Sequence, residues 1–224
     1  MEAKMYVKNR MTANPFTIKA DAPLADVMDL MREKKLKRVP VVAEDGKSVV
    51  GIVTEGDINK VSPSKASTLS IFEINYLLGK TTVRSAMTKD PLLISPDALL
   101  EEAAVLMRAN KISTLPVVDD TGSLVGIITE SDIFDAFLDL MGFRMLGTRL
   151  TIQAPNVPGI LADVTKIFHS FGFNISHVAV YGGNAAVCDV VIRFNAFNIE
   201  ELQKALEERS YKIVHVMRSQ EELD

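Results

Sequence analysis

Gly51-Ile52-Val53-Thr54-Glu55-Gly56-Asp57-Ile58 returns 75 residues later as Gly126-Ile127-Ile128-Thr129-Glu130-Ser131-Asp132-Ile133. Self-similarity of this density decides the organisation of a chain before any single element is read. Upstream, Val39-Pro40-Val41-Val42 recurs as Leu115-Pro116-Val117-Val118, and Met11-Thr12-Ala13-Asn14-Pro15 as Met87-Thr88-Lys89-Asp90-Pro91, both 76 residues on. The one-residue slip falls where Glu44-Asp45-Gly46-Lys47 faces Asp120-Thr121-Gly122, a turn, and turns tolerate length changes that packed elements do not. The first two thirds of the chain are one folding unit, duplicated.

Each copy reads strand, helix, strand, strand, helix. Leu24, Val27, Met28 and Met31 sit at the spacing of one helix face, and Leu100, Ala103, Ala104 and Met107 repeat that stripe. Asp21 is the expected N-cap of the first helix; Ser95, followed by Pro96 at the first helical position, is that of the second. Val39 to Ala43, Val49 to Val53, Val117 to Asp119 and Leu124 to Ile128 are short and β-branched, with Asp-Gly and Thr-Gly turns between them, and predict strands. One copy alone leaves a sheet face uncovered, so the two are expected to pack through their sheets. Between them, residues 62–68 read as loop, and Ser70 with Glu73 forms a capping box, with a Leu69–Ile74 staple, opening a helix that runs to Gly79. Ile133, Phe134, Phe137, Leu138 and Met141 mark a closing helix ended by Gly142, and the pattern changes near Gly142 to Gly147.

The remaining residues follow another plan. Leu150, Ile152 and Ala154 alternate with Thr151 and Gln153, a half-buried strand. After Asn156-Val157-Pro158-Gly159 comes a helix with Ile160, Val164, Ile167, Phe168 and Phe171 on one face, closed by Gly172. Asn174 to Tyr181 and Ala185 to Phe194 are expected strands joined at Gly182-Gly183-Asn184. Asn198 with Glu201 forms a capping box for a helix through Leu202, Ala205 and Leu206, and Tyr211 to Met217 is the last strand. The order βαββαβ predicts a ferredoxin-like antiparallel sheet with both helices on one face. The fold class is α+β.

Composition bounds the function. Of 224 residues, 47% are hydrophobic and 24% charged, an ordinary globular balance, and the net charge of −4 offers no basic field to nucleic acid. No apolar run reaches the roughly 20 residues of a membrane span, and Met1-Glu2-Ala3-Lys4-Met5 lacks the apolar run of a signal peptide. The single cysteine, Cys188, permits no intrachain disulfide. These features predict a cytoplasmic protein with neither nucleic-acid nor membrane partners. Cys188 shares a strand face with Ala186, Val190 and Ile192 and reads as a buried thiol, while His169, His177 and His215 lack metal-ligand spacing. The chain contains no phosphate-loop lysine, His-Glu-x-x-His, Cys-x-x-Cys or nucleophile elbow. The expectation is a non-enzymatic protein without metal, catalytic residues or required cofactor.

The twice-repeated Gly-Ile-(Val/Ile)-Thr-x-x-Asp is the main candidate for chemistry. Thr54 with Asp57, and Thr129 with Asp132, have N-cap to N3 spacing and could simply cap helices. The same geometry offers backbone N–H groups to a phosphate and a carboxylate to ribose hydroxyls. A cap alone would not demand the flanking glycine or the separate (Val/Leu)-Pro-Val-Val strand. Lys34-Lys35-Leu36-Lys37-Arg38 reads either as a solvated helix end or, through Arg38, as a phosphate contact.

Over Met11 to Ile58 and Met87 to Phe134 the repeat resembles the CBS domain, whose tandem pairs, Bateman modules, bind adenosine compounds. The resemblance implies that Asp57 and Asp132 hold ribose and that Thr54 and Thr129 lie near the phosphates. It implies that Val39-Pro40 and Leu115-Pro116, with Thr17 and Leu93, line the adenine slots. Arg38 then meets phosphate; its repeat counterpart is Thr114, and Lys37 matches Ser113, so the two sites should be unequal. The residues leave AMP, ATP, NAD and S-adenosylmethionine open, with AMP or ATP the expected regulatory ligand. Asn156-Val157-Pro158-Gly159-Ile160-Leu161 followed by Phe173-Asn174-Ile175 resembles the ACT domain. That implies an amino acid or small carboxylate near Asn156, Val157, Pro158, Gly159, Ile160, Leu161, Asn174 and Ile175, bound between the first strand–helix loop and a neighbouring subunit's strand. The whole order resembles the acetoin-utilisation accessory (AcuB-like) family. It implies a tandem CBS pair over 1–142 (first copy about 6–61, second about 82–142) and an ACT domain over 143–224. The expected protein is a homodimer or larger oligomer regulating an unidentified metabolic partner; the rival reading is a dimerisation scaffold with vacant pockets.

Overall fold

The computed structural model describes residues 5–61, 79–182 and 185–219. The chain divides into two compact units, Met1–Phe134 and Asp135–Asp224.

In the first unit, the opening copy runs β1 (Thr12–Ala13), β2 (Ile18–Lys19), α1 (Leu24–Lys34), β3 (Arg38–Val42), β4 (Val49–Thr54) and α2 (Glu55–Val61). The second runs α3 (Val83–Ala86), β5 (Thr88–Lys89), α4 (Leu100–Asn110), β6 (Thr114–Val118), β7 (Leu124–Thr129) and α5 (Glu130–Leu140), whose residues from Asp135 on count with the second unit. The helix stripes face inward as their spacing requires: Leu24, Val27 and Met31 are buried on α1, and Leu100, Ala103 and Met107 on α4. A fully buried leucine, valine or methionine side chain contributes about 1.5–3 kcal/mol.

The copies exchange their leading segments. β1 of the first copy pairs with β7 of the second, and β5 of the second pairs with β4 of the first. The sheets are therefore β2-β3-β4-β5 and β1-β7-β6. The exchange accounts for the repeated glycine. A Cβ on Gly51 would lie 2.5 Å from Met87 Sδ, and one on Gly126 2.3 Å from Met11 Sδ, so each glycine makes room for the other copy's methionine.

The exchange also corrects the predicted caps. Helix α1 begins after Pro23 and α4 after Leu99, without a side-chain cap from Asp21 or Ser95. Their first amides are taken by the exchanged backbone instead, Leu24 N–H donating to Thr81 O at 2.7 Å and Leu100 N–H to Met5 O at 2.9 Å. Asp21 pairs with Arg84 at 2.8 Å. Glu102 accepts from Leu99 N–H at 2.8 Å, half of a capping box. The leading strand of the second copy shrinks to one parallel bridge, Ile94 to Val117, where the first copy pairs Ile18 with Val41 and Lys19 with Val42. The inter-repeat capping box, Ser70 with Glu73, lies outside the described residues; Gly79, expected to end that helix, is itself helical.

The second unit contains β8 (Gly147–Pro155), α6 (Ile160–Ser170), β9 (Ile175–Tyr181), β10 (Val187–Phe194), α7 (Glu200–Glu208) and β11 (Lys212–Ser219). Sheet order is β11-β8-β10-β9, every pair antiparallel, the ferredoxin-like arrangement. Both helices cover the face carrying Leu150, Ile152, Val190 and Ile192, through Val164, Ile167, Phe168, Leu202 and Leu206. Phe168 meets Phe194 edge-on with ring centroids 4.9 Å apart. Cys188 is buried in this core. Helix α7 begins after Ile199 without a side-chain cap, so the Asn198–Glu201 box does not form; Glu200 and Glu201 in the first turn complement the helix dipole instead. Among the described residues no helix is long and apolar enough to cross a membrane.

Candidate functional site

The two Thr-x-x-Asp stretches adopt the same geometry at a strand-to-helix junction. Thr54 ends β4, and Asp57 lies in the first turn of α2. Asp57 Oδ2 accepts from Thr54 Oγ1 at 2.7 Å and from Thr54 N–H at 3.2 Å, while Thr54 Oγ1 accepts from Asp57 N–H at 3.2 Å. Between β7 and α5, Asp132 Oδ2 accepts from Thr129 N–H and Thr129 Oγ1, both at 2.7 Å. The capping role is thus real in both copies, and each uses a single carboxylate oxygen. The copies differ at the other oxygen. Asp57 Oδ1 takes Lys60 Nζ at 3.0 Å, whereas Asp135 occupies the equivalent of Lys60 in the second copy. Burial raises the Asp57 pKa, but hydrogen bonds from Thr54 and Lys60 outweigh it and hold the carboxyl below its ordinary value.

A cavity of about 450 Å³ opens beside Thr54 and Asp57, within the roughly 300–1,000 Å³ of small-molecule sites. Its far wall belongs to the other copy: Thr88, Asp90, Pro91 and Leu92 from the exchanged segment, and Lys111, Ile112, Ser113 and Thr114 leading into β6. Thr54, Asp57 and Thr114 therefore meet although 60 residues separate Thr54 from Thr114. Arg38 reaches the same wall, its Nη1 donating to Ser113 O at 2.7 Å, to Ser113 Oγ at 3.0 Å and to Thr114 Oγ1. The arginine thus touches its own repeat counterpart across the pseudo-twofold axis.

Val39, Pro40, Leu115 and Pro116 are buried in the central strands, with Pro40 opposite Ile52, a cavity-lining residue. Thr17, half-buried before β2, does not line this cavity. Nor does Leu93, which lines a separate apolar groove along α4 with Val105 and Ala109; the cavity takes its neighbour Leu92. Asp90 and Lys111 were not singled out from sequence. Both sit at positive φ, +46° and +56°, as do their counterparts Asn14 and Lys35, +48° and +54°. Their place in the repeat was the available signal, since left-handed backbone at a non-glycine residue is uncommon.

In the second unit Asn156 Nδ2 donates to Ala185 O at 3.0 Å, and Val157 and Leu161 are exposed. Gly159 has φ +91°, with open space where a Cβ would sit, and Ile160 packs against the core. Asn174 and Ile175 lie at the opposite end of the sheet: Ile175 pairs with Phe194, whereas Pro155 pairs with Val187. Within one chain, Asn174 and Ile175 do not meet the Asn156–Leu161 loop. Among the described residues no group of three or more His, Cys, Asp or Glu side chains could hold a metal ion.

A family model of the CBS domain matches residues 7–64 and 83–139, just over half of the chain. A model of the ACT domain matches residues 148–210. An uncharacterized protein of Methanocaldococcus jannaschii is 34% identical over 156 residues, 60% of this chain and 92% of its own. Among solved structures, CBSX2 in complex with AMP is 29% identical, over 60% of this chain and 97% of that one, with a TM-score of 0.50. A candidate acetoin utilization protein (AcuB) from Vibrio cholerae is 31% identical, over 62% of this chain and 94% of its own, with a TM-score of 0.50.

Proposed function

Because the chain belongs to the CBS domain family, with an ACT domain following its CBS pair, we propose that it is a non-enzymatic regulator that binds adenine nucleotides. The CBS pair occupies 1–142 and the ACT domain 143–224. AMP or ATP binds at the CBS pair, and an amino acid or small carboxylate binds at the Asn156–Leu161 loop against Asn174 and Ile175 of a neighbouring subunit. Occupancy changes the activity of a metabolic partner in the cytoplasm, in a carbon-use pathway of the acetoin kind. The observation that carries this reading is the cavity in which Thr54 and Asp57 of one copy face Thr114 of the other. An AMP-bound relative with the same CBS plan supports the nucleotide.

Titration calorimetry with AMP and ATP tests it. The expected result is two unequal affinities, because Arg38 stands on one side of the pseudo-twofold axis and Thr114 on the other. A guanidinium hydrogen-bonded to phosphate gives the stronger, charge-assisted contact, so Arg38→Thr should weaken the tighter site by about tenfold and bring the affinities together. The difference should shrink at high salt. Two equal sites, or a tighter site untouched in Arg38→Thr, would remove Arg38 from phosphate binding. No binding of either nucleotide would favour the scaffold reading.

Self-association is the second expectation. β9 is an edge strand of the ACT sheet, with Val178, Val180 and Tyr181 between 41% and 48% exposed. An open apolar edge is a template for pairing with another chain. Light scattering at micromolar concentration should therefore give a mass at least twice the 24.6 kDa of one chain; a monomer would contradict it.

A further inference from the structure

Four of the five buried side-chain polar atoms that lack a hydrogen-bond partner among the described residues lie on one face of the ACT sheet: His177 Nδ1, Arg193 Nε, Arg193 Nη2 and Ser219 Oγ. It is the face opposite the two helices. Cross-strand register sets His177, Arg193 and Arg149 side by side, with Ser219 opposite Gly147 next along β8. We propose that this face, beneath the segment joining Gly142 to Gly147, is a binding site for an oxyanion, a carboxylate or phosphate group gripped by Arg193 with Arg149 beside it.

Arg193 is 1% exposed. Among the described residues its side chain has one hydrogen-bond partner, the backbone carbonyl Met145 O, reached from Nη1 at 2.6 Å. The two idle donors, Nε and Nη2, form the side edge of the guanidinium, spaced to hold two oxygens of one carboxylate or phosphate. Two arginines directly opposite on neighbouring strands repel each other. Neither forms an ion pair with a carboxylate among the described residues; Arg149 Nη1 donates to Thr151 Oγ1 at 3.2 Å. Burial first, and the Arg149 charge second, lower the pKa of Arg193. A bound anion removes both penalties and satisfies both idle donors.

The overlying segment is thin. Gly142 lies so close to His177 that a Cβ there would be 2.4 Å from Nδ1. Phe143, Met145 and Leu146 remain 39–47% exposed, so displacing them to admit an ion loses little apolar contact. The Asn156–Leu161 loop is at the other end of the sheet, and this site does not depend on the function proposed above.

Calorimetry on the full chain with sodium acetate and with inorganic phosphate, at fixed ionic strength, is the test. Saturable binding of either anion is expected, acetate alone identifying a carboxylate ligand and phosphate alone a phosphate. Arg193→Lys keeps the charge but loses the fork and should weaken that binding by about tenfold or more. Arg149→Met, at a half-buried position, should weaken it too and serves alone if Arg193→Lys does not fold. Failure of both anions to saturate, or affinities unchanged in the folded variants, overturns the proposal. Acetate held at the Asn156 loop, or phosphate in the CBS cavity, would give that unchanged result.

Discussion

Asp132→Ala and Asp57→Ala are each expected to weaken nucleotide binding at their own site by about 1.5–3 kcal/mol, the range for a hydrogen bond to a charged group, or roughly ten- to 150-fold. Each carboxylate gives Oδ2 to the threonine at the strand end and keeps Oδ1 for other partners. A ribose diol can take that second oxygen. Asp132 should show the larger loss, because Asp57 Oδ1 already holds Lys60 and ribose must displace or share that ammonium. Both substitutions also remove the carboxylate acceptor of the threonine amide and hydroxyl protons, so circular dichroism must first show each variant folded. The Asp57 contribution to stability carries a pH signature. Its folded pKa lies below the ordinary 3.8, so the stabilisation is present above that value and is lost as pH falls through the lowered one. Affinities unchanged in both folded variants would discard the ribose role.

Gly147→Ala should destabilise the ACT unit by roughly 3 kcal/mol or more, a size reserved for a few named mechanisms. Two of them coincide here. Gly147 has φ +123°, which residues with a side chain rarely adopt, and a Cβ would stand 2.2 Å from Phe194 O. That oxygen belongs to the backbone of β10, paired on both sides with β8 and β9, so it cannot swing away as a flexible side chain would. Gly142→Ala is the milder comparison: its φ of +62° is also left-handed, but its Cβ would first meet the His177 side chain, at 2.4 Å, rather than backbone. Thermal melts of the full chain should show Gly147→Ala lowering the ACT transition by about 10 °C or more. A shift under 2 °C would mean that β8 can start elsewhere.

Most of the elements were legible in the sequence because periodicity reports burial directly, and the two domain types through the family resemblance of their motifs. Leu24, Val27 and Met31 had to lie under α1, and Leu150, Ile152 and Ala154 under the ACT helices, since no other conformation buries those stripes together. The helix starts were misread for a physical reason. Asp21, Ser95 and Asn198 have the chemistry of caps, but a cap is a competition for a few amides, and backbone from elsewhere in the chain can win it. Thr81 O and Met5 O do so at α1 and α4.

The candidate site divides in the same way. Thr54 with Asp57 and Thr129 with Asp132 are local, three residues apart, and their hydrogen bonds follow from that spacing. Asp90 reaches the Thr54 cavity because the copies exchange leading segments, an arrangement equally compatible with the repeat in either pairing, and Lys111 and Ser113 reach it because the start of β6 faces the first copy. The sequence read the glycine before each Ile-(Val/Ile)-Thr as a ligand requirement, whereas packing shows it yielding space to a methionine from the other copy. By itself the sequence determined the repeat, the helix and strand faces, the ferredoxin-like order and the two Thr-Asp pairs, all properties of near neighbours along the chain. Only the tertiary structure decided which copy completes which cavity, that Arg38 reaches Thr114, and that Arg193 is buried with its fork empty. Those depend on contacts between residues far apart in sequence, where neither spacing nor propensity carries information.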